Sequence, residues 1–224
     1  MTRTIEFYFD FPSPYSYLAH TQLPEIAAQH GATLVYRPFR VLELMTIVGN
    51  RPTTIECRNK GKYAGADLQR WTQRYNVEFS RSPYAKSLDF AALDRGALVA
   101  IEDGRGAEYV TAVFAAIWGR PADISQRSVL IDTLERAGLD ASALVERANT
   151  EAIIARLDAE TKAAAERGVF GWFNVIYPDW VYTVCALVSG LALVGLYVAW
   201  ARGGRRSAIG MLLIWAGMFF ALLI

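Results

Sequence analysis

Residues 4–39, "TIEFYFDFPSPYSYLAHTQLPEIAAQHGATLVYRPF", decide the fold. Ile5, Phe7, Phe9 and Phe11 alternate with Glu6, Tyr8 and Asp10, so the stretch opens as a strand with one strongly apolar face. Ser13 then fits a helix N-cap, and Pro14 fits the first helical position, where a missing N–H costs nothing. Tyr17, Leu18, Leu23 and Ile26 supply the apolar positions of a helix that should stop near His30-Gly31, with Pro24 at a kink. Residues 32–39 read as a second strand ended by Pro38. Strand, helix and strand at this length form one βαβ unit over 4–39 with parallel strands.

From 41 to 166 no further strand is evident. Residues 63–76, 87–103, 107–119, 125–138 and 150–168 all space their apolar positions by three and four, with Gly, Pro and Asp/Asn between them. This predicts a helical block of five or six helices.

The chain has 224 residues and a formal net charge of +1, which excludes the basic footprint of a nucleic-acid binder. Residues 1–171 hold 20 of the 23 Lys and Arg and 21 of the 22 Asp and Glu, whereas 172–224 hold three arginines and one aspartate. Cys57 and Cys185 stand far apart, no C-x-x-C is present, and no His/Cys spacing suits a metal. The first residues carry no apolar stretch of signal-peptide type, so the polar part is expected in the cytoplasm.

Five motifs in order, "FYFDFPSPYSYLA", "GNRP", "KGKYAGADLQRW", "AAIWGR" and "AAAERGVFG", resemble the 2-hydroxychromene-2-carboxylate isomerases, relatives of kappa-class glutathione transferases and DsbA-like thioredoxins. The resemblance runs from about residue 4 to Gly171. It implies a thioredoxin fold interrupted by a helical domain, glutathione as cofactor, and a small aromatic substrate. The implied reaction interconverts 2-hydroxychromene-2-carboxylate and trans-o-hydroxybenzylidenepyruvate in the degradation of aromatic compounds. It also implies that Ser13 is catalytic and hydrogen-bonds the glutathione sulfur, that Asn50, Lys60 and Asp67 belong to the glutathione site, and that the protein forms a homodimer. A helix N-terminus offers unpaired N–H groups and about half a positive charge, which lowers a cysteine pKa in redox relatives. With Ser13 in place of that cysteine, the same field suits a thiolate carried by another molecule.

Local chemistry offers plainer readings of the same residues. Ser13 is also an ordinary N-cap, worth about 1 kcal/mol. Asn50 lies in a turn sequence, Lys60 suits a solvated face, and Asp67 pairs with Arg70 or Arg74 along a helix. Tyr15 and Tyr84 are candidate walls for an aromatic substrate, while Trp71, Tyr75 and Trp118 read as core. His20 and His30 are isolated, and nothing around Cys57 in the sequence argues for a depressed pKa.

After Gly171 the family pattern, a Val-Pro-Thr loop followed by two strands and a helix, gives way to "WFNVIYPDW" and two apolar runs. Residues 181–201 and 208–224, separated by Arg202, Arg205 and Arg206, read as a membrane hairpin. The expected organisation is therefore a truncated domain over 1–171 and a hairpin over 172–224, joined at 168–171 by a fusion junction. The fold class is α/β, an incomplete thioredoxin-like βαβ unit with a large helical insertion followed by a two-helix transmembrane hairpin. This places the chain in the inner membrane and leaves the isomerase impaired, with half of its glutathione site missing. A kappa-type glutathione transferase and a non-catalytic, membrane-anchored scaffold are the alternatives.

Overall fold

The computed structural model describes residues 3–171 and the backbone of 173–176. Strand β1 (Arg3–Phe9) lies at the centre of a three-stranded sheet. On one side it pairs in parallel with β2 (Ala32–Pro38), Phe7 opposite Tyr36. On the other it pairs antiparallel with β3 (Phe173–Ile176), Phe7 opposite Val175. Helix α1 (Pro14–Gln29) is the βαβ crossover, and it ends where Gly31 takes a φ of 59°, a left-handed turn that glycine makes without strain.

Both faces of the sheet are covered. Phe7, Phe9 and Phe11 are fully buried on one face, against Tyr17 and Leu23 of α1 and against helices α5 (Phe90–Glu102) and α6 (Gly106–Phe114). Tyr8 is buried on the other, with Phe39, with Val41, Leu44 and Met45 of α2 (Val41–Ile47), and with Ala164 of α9 (Glu151–Glu166). Burial on both faces is why β1 hides its alternate residues as well as its phenylalanines.

Between α2 and α9 the helical block carries α3 (Thr53–Glu56), α4 (Arg58–Arg74), α5, α6, a π-helical turn over Ala115–Gly119, α7 (Arg127–Arg136) and α8 (Ala141–Ala148). That is more helices than the apolar spacing suggested, because short polar helices such as α3 carry no periodic signal. The π turn points Trp118 at the start of α1, where its indole Nε1 donates to the Phe11 carbonyl at 2.8 Å. Gly119 allows the same approach for Tyr17, whose hydroxyl donates to the Glu78 carbonyl at 2.7 Å. The helical block is thus fastened to the loop that leads into α1.

The incomplete two-strand unit is not what the chain forms. β3 follows directly on residues 168–171 and pairs with β1, so both edges of β1 are satisfied and the suggested junction leads into the same sheet. Residues 1–176 make up one compact unit. The transmembrane hairpin read at 181–201 and 208–224 lies outside the described residues. Among the described residues no helix is long and apolar enough to cross a membrane.

Candidate active site at the start of the first helix

Residues 10–13 form the turn between β1 and α1. Ser13 takes the extended N-cap conformation and its Oγ accepts from the Ser16 amide at 3.1 Å. It is 1% exposed, and neither of the two cavities described below is lined by it. Its hydroxyl hydrogen has no acceptor among the described residues. The first-turn amide of Tyr15 likewise has no described acceptor, and Tyr15 lines both cavities.

The first cavity, about 320 Å³, lies between α1, the α2–α3 loop and the turn that follows α9. Its walls include Tyr15, Asn50, Arg51, Thr53, Phe170 and Gly171. Asn50 builds it: Nδ2 donates to the Phe170 carbonyl at 2.6 Å while Oδ1 accepts from the Arg51 amide at 2.8 Å. One amide side chain thereby ties residues 120 positions apart. Arg51 points its guanidinium at Glu56, 2.9 Å away, and remains mostly exposed.

The second cavity, about 520 Å³, shares Tyr15 and Thr54 with the first and adds Asn59, Lys60, Tyr63 and Ala64 from α4. The shared wall depends on Gly61, where a Cβ would lie 2.7 Å from the Thr54 carbonyl oxygen. Tyr15 is fixed in that wall by its hydroxyl, which donates to the Ala64 carbonyl at 3.1 Å and to Asp67 Oδ2 at 3.3 Å. Burial and the Asp67 charge push that phenol up to about 12, so it stays neutral.

The structure therefore brings Tyr15 together with Asn50 in one cavity and with Lys60 in the other. Asn50 and Lys60 do not share one. Asp67 stands behind the wall, bonded to Tyr15 and Arg70, and lines neither cavity. Tyr84 sits in the loop before α5 and also lines neither. His20 is a core histidine, bonded to Thr111 at 2.9 Å and set among Phe7, Tyr36 and Phe114. Burial lowers its pKa to about 4.

Three features escape local sequence reading. Asp10 Oδ2 accepts from the Val41 amide at 2.8 Å and so caps α2 from a distance. The same carboxyl lies within hydrogen-bonding reach of Asp94, which is wholly buried in α5. Desolvation raises both pKa values, Asp10 to about 7, and the like charges reinforce the rise at Asp94. Cys57 is the exposed residue at the N-cap of α4, where the Lys60 and Asn59 amides and the Lys60 charge push its thiol pKa down. The sequence holds one clue to each position: Asp10 and Asp94 are acids inside apolar runs, and Cys57 precedes an amphipathic helix.

Comparison with known proteins agrees with this architecture. The DsbA-like thioredoxin domain family matches residues 4–176. A 2-hydroxychromene-2-carboxylate isomerase from Sphingobium xenophagum is 38% identical over 185 residues, covering 81% of this chain and 92% of its own. Human glutathione S-transferase kappa 1 is 26% identical over 189 residues, covering 76% of this chain and 79% of its own. A solved 2-hydroxychromene-2-carboxylate isomerase superposes with a TM-score of 0.70 at 28% identity, covering 88% of this chain and 99% of that one.

The matched domain runs through 168–171 and includes β3, so the fusion junction is not upheld and the fold is corrected to a mixed α/β thioredoxin-like DsbA fold. The inner-membrane location drawn from the hairpin is not supported: the match is to a thioredoxin-like domain, and among the described residues no helix is long and apolar enough to cross a membrane. The chain belongs to the DsbA-like thioredoxin family and, within it, to the 2-hydroxychromene-2-carboxylate isomerases, a family of enzymes.

Proposed function

We propose that the protein is a glutathione-dependent isomerase that interconverts 2-hydroxychromene-2-carboxylate and trans-o-hydroxybenzylidenepyruvate. The carrying observation is the cavity beside the N-terminus of α1, lined by Tyr15 of its first turn together with Asn50 and Arg51. Its other polar groups, Asn50, Arg51, Thr53 and Thr54, suit a peptide with carboxylate ends. Glutathione held there would supply a thiolate, a nucleophile that could add to a conjugated double bond and leave again with no net change in atoms or oxidation state.

The chain's own work is placement. The positive end of α1, whose first turn includes Tyr15, favours negative charge beside it. Ser13 fixes the first turn through its bond to Ser16; it is buried and lines neither cavity, so its contact with the sulfur is carried by the family resemblance and tested by Ser13→Ala. Asn50 holds the Phe170 carbonyl in the opposite wall. The expected impairment rests on loss of the proline loop and of the C-terminal strands, and β3 supplies one strand of that part. One part of it stays in our reading. Trp172 stands where the resemblance puts the proline loop, so glutathione should be held less tightly than in relatives that carry that loop.

Calorimetric titration with glutathione, with the absorbance change of substrate conversion, tests the proposal on the wild type and Ser13→Ala. The wild type should bind and turn over. Ser13→Ala should lose at least tenfold in kcat/KM, beyond the loss of about 1 kcal/mol in stability expected from removing a cap. Absence of glutathione binding at millimolar concentration would overturn it. A kappa-type transferase reading has the 26% likeness to the human kappa enzyme behind it, and a panel of aromatic electrophiles separates the two.

A further inference from the structure

We infer that the second cavity, walled by Tyr15 and Tyr63 and carrying Lys60, is the subsite for the aromatic acid, and that Asp67 is the positioning residue that sets its two rings. This rests on the isomerase reading and assigns the half of the site that the first cavity leaves open.

Two reacting partners need adjoining places, and the two cavities adjoin through Tyr15 and Thr54. A ligand in the second therefore lies beside whatever occupies the first, the two meeting at Tyr15 and Thr54. The second wall is mostly carbon, which suits a flat, fused ring better than it suits a peptide backbone. The one charged residue among its lining is Lys60, an exposed lysine. Among the described residues no carboxylate forms an ion pair with it, which leaves its charge open to an acidic ligand. A fused aromatic ring bearing one carboxylate matches both features.

The two rings are fixed by one side chain. Asp67 Oδ2 accepts from the Tyr15 hydroxyl at 3.3 Å, while Oδ1 accepts from Arg70 Nη1 at 3.2 Å. Arg70 in turn places its guanidinium over the Tyr63 ring, 5.6 Å from the centroid. Asp67 thus orients one tyrosine directly and the other through Arg70, without reaching the cavity itself. This gives Lys60 and Asp67 a different duty from the glutathione contacts that the family resemblance implies for them. One serves the aromatic acid and the other serves the walls.

The test uses the full chain with coumarin-3-carboxylate, a flat fused-ring acid, and uncharged coumarin as probes, alongside glutathione. Affinities are read by calorimetry and kinetics with 2-hydroxychromene-2-carboxylate. Lys60→Met should weaken coumarin-3-carboxylate and raise KM for the chromene acid, each about tenfold, as expected for a charge-assisted bond. Coumarin and glutathione affinities should stay within about twofold, and Lys60→Arg should restore most of the loss. Asp67→Asn should raise KM for the chromene acid with little change in glutathione affinity, and Tyr63→Phe should be silent where Tyr63→Ala is not.

If Lys60→Met weakens glutathione and spares coumarin-3-carboxylate, Lys60 serves the cofactor and the inference is overturned. If the wild type binds coumarin-3-carboxylate through Lys60 but binds no glutathione, the subsite stands and the isomerase reading falls. If glutathione binds and the acid probe is indifferent to Lys60 and Tyr63, the subsite alone falls. If neither ligand binds, both are overturned.

Discussion

Asp10 and Asp94 show how one residue pair carries information that no local pattern holds. Two carboxyls out of water and within reach of one another cannot both ionise cheaply, so the pair keeps a proton well above the usual carboxylate range. Arg40 and Arg95 lie close enough to oppose that rise, but burial dominates. In the unfolded chain both acids lose their protons near pH 4. Folded, Asp10 titrates at about 7. Between those values the folded state binds more protons, so this pair contributes stability that is fully present below pH 4 and is lost as pH rises through 7. The melting temperature should therefore decline from pH 5 to pH 8 in the wild type. Asp94→Asn, which can donate to an ionised Asp10, should flatten that decline and melt no lower than the wild type at pH 8. Thermal denaturation followed by circular dichroism at four pH values checks this, and an unchanged slope in the variant would remove the pair from the account.

Elements were legible in the sequence wherever local chemistry decides them. The alternation in β1, the Ser13-Pro14 start and Gly31 end of α1, and the apolar spacing of α5 and α9 all appear as expected. What stayed hidden depends on distant partners. β3 has only four residues and gains its identity from pairing with β1, about 170 positions earlier. Tyr8 looks solvent-facing until α2 and α9 are folded over it. Of the candidate site residues, Tyr15 and Asn50 line one cavity, while the separation of Lys60 into another is set by how α3 packs on α4. That packing hinges on Gly61. A methyl there would meet the Thr54 carbonyl oxygen at 2.7 Å, and backbone cannot turn aside as a side chain can. Gly61→Ala should push α3 off α4, cost about 1–3 kcal/mol of stability, and disturb the wall shared by both cavities. Glutathione and coumarin-3-carboxylate should then weaken together. Loss of one alone would mean that the wall is not common to the two.

At the scale of the whole domain, β1 is the piece on which both cores depend. One core joins its phenylalanines to α1, α5 and α6, and the other joins Tyr8 to α2 and α9. Such an arrangement couples the sheet and the helical block, because neither core can melt without exposing a face of the same strand. Further ties run the same way: the Thr161 hydroxyl of α9 accepts from the Arg40 amide at 3.1 Å, and Trp118 holds the Phe11 carbonyl. Leu98 on α5, 2% exposed, and Leu44 on α2, fully buried, sample the two cores separately. Leu98→Ala and Leu44→Ala should each cost about 2–5 kcal/mol, the range for a buried leucine cut to alanine. If β1 couples the cores, either substitution lowers one common transition. Hydrogen exchange of backbone amides within residues 3–171 would then show protection in β1, α5 and α9 falling by the same amount in both variants. Protection that falls in α9 but persists in α5 for Leu44→Ala would show the cores to be independent. The site, which borrows walls from α1, α3, α4 and the turn after α9, would then have to be understood as a joint between two separately stable parts.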